Sequence, residues 1–380
     1  MDPIVIIGSG LAGYNVAREL RKLDKVVPLT ILSADSAHFY SKPMLSSSIS
    51  KAPEAIAMNT AEQMSAQLGA TVRANIHVTA IEPERHALHL YHETVSYSKL
   101  VLALGADQIK LALEGNAAER VMTVNDLTDY TQFRAAIAGK QAITVIGGGL
   151  IGCEFANDLT SGGFKVSVVD IAPQPLPRLL PPEGAAMLKR KLAALGVDWH
   201  LGTSVAAIDS DGTALSIALV NGDKLMADVV LSAVGLRPRI ALAQAAGLAI
   251  NRGIVVDRSL QTSAADVYSL GDCAEVAGLV MPFVMPIMHA ARALAATLAG
   301  KPTLLTYPAM PVLVKTPACP TIVSPPAANA AGTWSVTADE ESVKSLFVDA
   351  AGKLLGFALN GKATAERAAL VQQLPPVLAG

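Results

Sequence analysis

Apolar residues along this chain fall in short uninterrupted blocks rather than one long stretch. Ile4-Val5-Ile6-Ile7 leads into Gly8-Ser9-Gly10-Leu11-Ala12-Gly13 and then a helical pattern through Leu20. The same order returns downstream as Ile143-Thr144-Val145-Ile146, Gly147-Gly148-Gly149-Leu150-Ile151-Gly152 and a helix through about Leu159. Each block reads as a strand buried on both faces, closed by a glycine turn that opens a helix. Leu29–Leu32 and Lys165–Val169 are predicted as the next strands. "SKLVLALGA" (98–106) and "ADVVLSAVGLRPR" (227–239) read as return strands ending in glycine. Beyond them Pro308, Pro311, Pro317, Pro320, Pro325 and Pro326 break the pattern. After that break, two apolar runs around Ala351-Gly352 predict a hairpin, and a terminal helix is expected over 364–374.

Both turns fit G-x-G-x-x-G between a strand and a helix. The first glycine permits the turn, the second admits a pyrophosphate to the backbone, and the third lets helix pack on strand. Free N–H groups and the positive end of the helix dipole then face the phosphates. The dull alternative is a glycine loop or helix cap. In the first unit the second strand ends at Ser33-Ala34-Asp35. Asp35 is slightly late for the acidic group that meets a ribose, so backbone contacts at Ser33 and Ala34 are equally open. In the second unit the strand ends at Asp170, placed to accept both ribose hydroxyls and repel a 2′-phosphate. No arginine follows directly, the nearest being Arg178, which favours NADH over NADPH. The fold class is thus α/β, with two Rossmann-like dinucleotide-binding domains and a small α+β domain at the C-terminus. Two such sites fit a flavin plus a nicotinamide, or a duplicated binding module.

Composition narrows the surroundings. At 380 residues, two or three domains are expected. Hydrophobic residues make up 51% of the chain and charged ones 16%, yet no apolar run approaches the roughly 20 residues of a spanning helix. With no signal-like start, a soluble cytoplasmic protein is expected. A net charge of −2 without a Lys/Arg block argues against nucleic acid or anionic membrane as partner. Cys153, Cys273 and Cys319 form no Cys-x-x-Cys pair and no metal spacing, so a redox role must come from a bound cofactor. His86, His89 and His92 lack completing ligands and read as a solvated strand face, with no metal expected.

Taken with "FYSKPMLS" (39–46), "GGGLIGCEFANDL" (147–159), "SAVGLRPR" (232–239), "NRGIVVD" (251–257), "YSLGDCAEV" (268–276) and "VKTPACP" (314–320), the chain resembles a known family over essentially its whole length. It is similar to the FAD-dependent pyridine-nucleotide oxidoreductases, and within them to the rubredoxin–NAD(+) reductases, with the flavorubredoxin reductases of nitric oxide detoxification as siblings. The resemblance implies FAD-binding segments at 1–106 and 237–307, an NAD-binding domain at 107–236 and a small domain at 308–380. It also implies hydride transfer from NADH to FAD, then single electrons to rubredoxin, as in alkane hydroxylation or oxidative-stress chains. Flavorubredoxin or a ferredoxin are alternative acceptors. A flavin-carrying signalling module is a rival reading from another class.

Particular residues follow from the resemblance. Lys42 and Glu154 correspond to the charged pair beside flavin N5, acting as positioning and electrostatic groups; otherwise they are an extended-segment lysine and a first-turn helix acid. Asp272 is expected on the ribityl chain or pyrophosphate of FAD, although a turn Asp would look alike. Lys315 matches the cation that reaches the flavin from the last domain, but a snorkelling lysine fits too. Val78 and Val284 are expected to offer backbone contacts at the adenine and flavin ends, and Gly235 belongs to the second site. His289 reads better as a core or capping residue than as a catalytic one. Lacking a cysteine pair, the chain must pass electrons from flavin directly to an outside acceptor.

Overall fold

The computed structural model describes residues 2–210 and 212–380. Ile4–Ile7 forms the centre of a five-stranded parallel sheet. Its neighbours are Leu29–Leu32 and Lys99–Leu102, with Thr71–Arg73 and Val267–Ser269 at the edges. All four central residues are buried, as a sheet covered on both faces requires. One face carries the helix Leu11–Leu23, whose Tyr14, Val16, Ala17 and Leu20 sink into a core shared with the helix Val284–Leu298. The opposite face is closed by a three-stranded antiparallel sheet, Val78–Glu82, Ala87–Leu90 and Thr94–Ser96.

The second unit repeats this plan. Ala142–Ile146 lies between Lys165–Asp170 and Val229–Ser232, with Val197–Leu201 beyond, all parallel. The helix Leu150–Ser161 covers it on one side, and an antiparallel sheet formed by Val205–Ser210, Leu215–Leu219 and Lys224–Ala227 supplies a further core. The chain leaves the first sheet through Ala106–Gln108 and returns through Leu236–Pro238. These two crossing strands pair antiparallel, Asp107 opposite Arg237, and Arg239 Nε donates to Asp107 Oδ1 at 2.6 Å.

The last sheet is antiparallel, in the order Val312–Val314, Thr321–Ser324, Leu354–Gly361, Ser342–Val348, Thr333–Ala338. The hairpin expected around Ala351-Gly352 forms there. Gly352 takes φ +79°, and Asp349 Oδ1 accepts the N–H groups of Ala351 and Lys353. The terminal helix is shorter than its pattern predicts. Lys362–Glu366 winds as a 3₁₀ turn and only Arg367–Val371 is α-helical. The chain then unwinds through i to i−3 bonds at Gln373 and Leu374, because Leu374 precedes Pro375 and cannot stay helical.

No helix among the described residues is long and apolar enough to cross a membrane. His86 stacks on Tyr97 with ring centroids 5.1 Å apart, and His89 Nε2 meets Glu82 Oε1 at 2.5 Å. Among the described residues no group of three or more His, Cys, Asp or Glu is arranged to hold a metal ion.

Candidate active site

Each glycine turn sits at the carboxyl end of its sheet, where open α/β sheets present their crevice. Gly8 has φ +112°, and a Cβ there would lie 2.2 Å from Ala103 O; a Cβ on Gly13 would lie 1.9 Å from Gly8 O. Gly147 and Gly152 repeat the constraint, with φ +110° at Gly147 and a Cβ on Gly152 falling 1.8 Å from Gly147 O. Gly10 and Gly149 differ, since a Cβ on either would meet nothing within 4 Å. Open backbone stands where a pyrophosphate would approach. Neither following helix has a side-chain cap or an acidic residue in its first turn, so their free N–H groups and dipoles are available to an anion. Both turns fit a dinucleotide.

Around the first turn, Ser9 Oγ meets Ser33 Oγ at 2.6 Å, and Ser33 Oγ donates to Asp35 Oδ1 at 2.6 Å. Asp35 Oδ1 also accepts the Ala37 N–H at 2.9 Å. Asp35 and Ala34 are exposed at this edge while Ser33 is buried, so the two residues open to a ribose are Ala34 and Asp35. Asn75 and Ile76 bond back to Asp35 O and Ser33 O, which brings the start of the Val78 strand beside the same edge. Asp272 lies in the 3₁₀ turn Gly271–Cys273, whose glycine has φ +81° and would bring a Cβ within 2.9 Å of Ala12 in the first helix. Burial pushes the Asp272 carboxyl up from its usual range, and the Lys42 ammonium opposes that shift. Val284 is the first residue of the helix Val284–Leu298, so its N–H has no acceptor in the helix ladder. His289 is half-buried one turn further on, and burial followed by Arg292 pulls its pKa down.

At the second turn, Asp170 Oδ2 accepts the Gly148 N–H and Oδ1 the Ala172 N–H at 2.6 Å. Each oxygen keeps a lone pair free for a further donor. Gly235, φ +119°, accepts the Ile109 N–H at 3.1 Å at the end of the loop whose Ala233 packs under Gly147.

The charged pairing differs from expectation. Glu154 is fully buried, and its partner is Lys315 rather than Lys42. Glu154 Oε2 accepts Lys315 Nζ and Ser46 Oγ, while Oε1 accepts the Lys315 backbone N–H at 2.9 Å. Lys315 Nζ also donates to Pro43 O at 2.5 Å and Ser46 Oγ at 3.0 Å. The reason is geometric. In the 3₁₀ helix Lys42–Ser47, Ser46 faces the glycine-turn helix while Lys42 starts the segment on another side. There the Lys42 amine donates to Asn125 Oδ1 at 2.7 Å, and burial lowers its pKa, with Asp272 the strongest opposing charge. One turn beyond Glu154, Asn157 Oδ1 accepts the Ala318 N–H at 3.1 Å and Asp158 Oδ2 the Ile49 N–H at 2.8 Å. One helix face therefore holds the Lys42–Ile49 segment and the Lys315–Ala318 segment together. Ser46, Asn125, Asn157 and Asp158 were not singled out from the sequence, since a polar side chain bonding a group distant in the chain leaves no local pattern. Cys153, Cys273 and Cys319 are buried and unpaired, and burial pushes the Cys273 and Cys319 thiols up from their usual range.

Residues 2–296 match the family model for pyridine nucleotide-disulphide oxidoreductases, and residues 304–374 match a rubredoxin binding C-terminal domain. This chain belongs to the pyridine nucleotide-disulphide oxidoreductase family. Over 381 residues it is 51% identical to a rubredoxin-NAD(+) reductase of Alcanivorax borkumensis, covering 100% of both chains. It is 37% identical to a nitric oxide reductase FlRd-NAD(+) reductase of Aeromonas salmonicida, over 98% of this chain and 96% of that one. Among solved structures it matches a ferredoxin reductase from Rhodopseudomonas palustris with a TM-score of 0.89 and 25% identity, covering 99% of this chain and 96% of the other. It is a nicotinamide-dependent flavoprotein reductase, and its cofactors are FAD and NAD(H).

Proposed function

We propose that this chain takes hydride from NADH and delivers single electrons to rubredoxin in the cytoplasm, with FAD at the first glycine turn and NADH at the second. The observation that carries the reading is the pair of open glycine turns followed by a last domain matching a rubredoxin-binding family. FAD, when bound, accepts two electrons as hydride and releases them singly. The protein's own residues bind and orient. Gly8 to Gly13 and the first helix N-terminus hold one pyrophosphate, with Ala34 and Asp35 toward the ribose, Ser33 behind them bonded to Asp35, and Val78 toward the adenine. Asp272 holds the ribityl or phosphate end, its carboxylate supported by Lys42. Val284 presents the uncapped helix start to the flavin ring. Gly147, Gly149, Gly152 and Gly235 shape the second site, and Asp170 supports NADH over NADPH through its two fixed oxygens.

Glu154, fully buried, and Lys315, partly open to water, form a mutually compensated pair that aligns the nicotinamide path without exchanging protons, and Lys42 supplies positive charge near the flavin. In this assignment residues 1–106 and 237–307 carry FAD, 107–236 carry NAD, and 308–380 complete the flavin site and face the acceptor. Anaerobic stopped-flow mixing tests the reading: NADH bleaches the flavin band and oxidised rubredoxin restores it. A flavin that NADH leaves oxidised would remove the proposal. The 37% identity to flavorubredoxin-linked reductases favours flavorubredoxin as a second acceptor. Turnover with each purified carrier, ferredoxin included, ranks them.

A further inference from the structure

Lys42 is held in place by a residue outside its own motif. Its amine donates to Asn125 Oδ1 at 2.7 Å, and among the described residues this is the only hydrogen bond the amine makes. Asn125 is itself fixed on two further sides: Nδ2 donates to Ala106 O at 2.9 Å and the backbone N–H to Asp129 Oδ2 at 2.9 Å. The preceding carbonyl, Val124 O, accepts Gln108 Nε2 at 2.6 Å. A flipped amide would set its NH₂ against an ammonium and its oxygen against a carbonyl, so one orientation alone satisfies both ends. Ala106 begins the outgoing crossing strand, and Asp129 lies in the first turn of the helix Leu127–Ile137. The charges around the amine come from every element packed there: Asp272 behind the first glycine turn, Asp107 and Arg239 on the crossing strands, Asp126 and Asp129 at the helix start.

We propose that Asn125 is a positioning residue for Lys42: it holds the amine through a neutral acceptor, so the positive charge stays in place and uncancelled instead of collapsing onto one of the surrounding carboxylates. The proposal rests on the reading that Lys42 borders the flavin. A carboxylate at position 125 would form a contact ion pair with the amine and cancel its field, while alanine would leave a buried ammonium without its acceptor.

The test uses the FAD-loaded protein and the variants Lys42→Met, Asn125→Asp and Asn125→Ala. Flavin reduction equilibria are measured against a reference dye, and acylation of Lys42 by acetic anhydride is followed by mass spectrometry in the same FAD-loaded protein. Removing a cation disfavours reduced flavin, so Lys42→Met is expected to shift the equilibrium about tenfold toward oxidised flavin, roughly 30 mV for a two-electron couple. Asn125→Asp should shift it in the same direction by a similar factor. Asn125→Ala should shift it about threefold and speed Lys42 acylation several-fold, and Lys42→Met should add less in the Asn125→Ala background than alone. If Lys42→Met leaves the equilibrium unmoved, Lys42 does not border the flavin, and the reading falls together with the proposal. If Lys42→Met shifts it while both Asn125 variants match wild type in equilibrium and acylation, the Asn125 proposal alone is overturned. Should Asn125→Asp fail to fold, the Asn125→Ala measurements decide.

Discussion

Removing Lys315 should cost more stability than removing Glu154, although they are partners in one ion pair. Glu154 has no exposed surface, whereas the Lys315 side chain is 28% exposed. Lys315→Met strands a buried carboxylate, whose remaining donors are Ser46 Oγ and the backbone N–H at position 315. Breaking a buried pair this way costs about 3–5 kcal/mol, and the two surviving hydrogen bonds place the expectation near the lower end, about 3 kcal/mol. Glu154→Gln keeps its one acceptor oxygen for the Lys315 N–H, turns its NH₂ toward Ser46 Oγ, which can accept, and frees an amine that can reach water, so about 1–2 kcal/mol is expected. The double variant Lys315→Met/Glu154→Gln should recover most of the loss caused by Lys315→Met. Urea unfolding followed by far-UV circular dichroism measures all four proteins. Equal losses for the two single variants, or a double variant whose loss equals their sum, would refute the argument that the uncompensated carboxylate dominates.

The two nucleotide sites should separate by mutation: Gly13→Ala, whose methyl would fall 1.9 Å from Gly8 O, should yield protein without flavin colour. Gly152→Ala, with its methyl 1.8 Å from Gly147 O, should keep the flavin but lose its reduction by NADH. Ile171 is 79% exposed beside Asp170, so Asp170→Ala/Ile171→Arg should trade ribose hydrogen bonds for a phosphate partner. The expected result is a swing of about 10–100-fold in kcat/KM from NADH toward NADPH, from roughly 1.5–3 kcal/mol for charge-assisted bonds, read by steady-state kinetics with both nucleotides. Asp272 has a raised pKa in the folded chain, chiefly through burial, so its contribution to stability is present at low pH and lost as pH rises through the folded value. Asp272→Asn should therefore stabilise the apoprotein at neutral pH while weakening FAD binding, and the stability gain should vanish below about pH 3.9, the ordinary Asp value. Thermal melts across pH and a flavin titration check both parts.

Both strand–turn–helix units were legible because three constraints coincide in a short stretch: a strand that is apolar but for Thr144 in the second unit, glycines where a Cβ would strike backbone, and a helical period. The place of Asp170 at a strand end was legible from the same pattern. The partner of Glu154 was not legible. Lys42 and Lys315 stand 112 and 161 residues from it, and which one arrives depends on how an edge strand of the last sheet meets the second helix. Sequence spacing carries no information about that meeting. Asn125 escaped for a further reason: an uncharged residue just before a helix cap reads as a turn former, and its contact to Lys42 spans 83 residues. The terminal helix was overextended because an apolar period was followed up to Leu374, the residue before Pro375, whereas the α-helix spans only Arg367–Val371.

The pairing of Ala106 with Pro238 and Gln108 with Leu236 places the departure and return of the chain side by side. Everything between them is attached like a cassette on adjoining ends. A segment joined so can be lifted out and a short linker put in its place without opening the host sheet, whose strand Val267–Ser269 already lies beyond the return point.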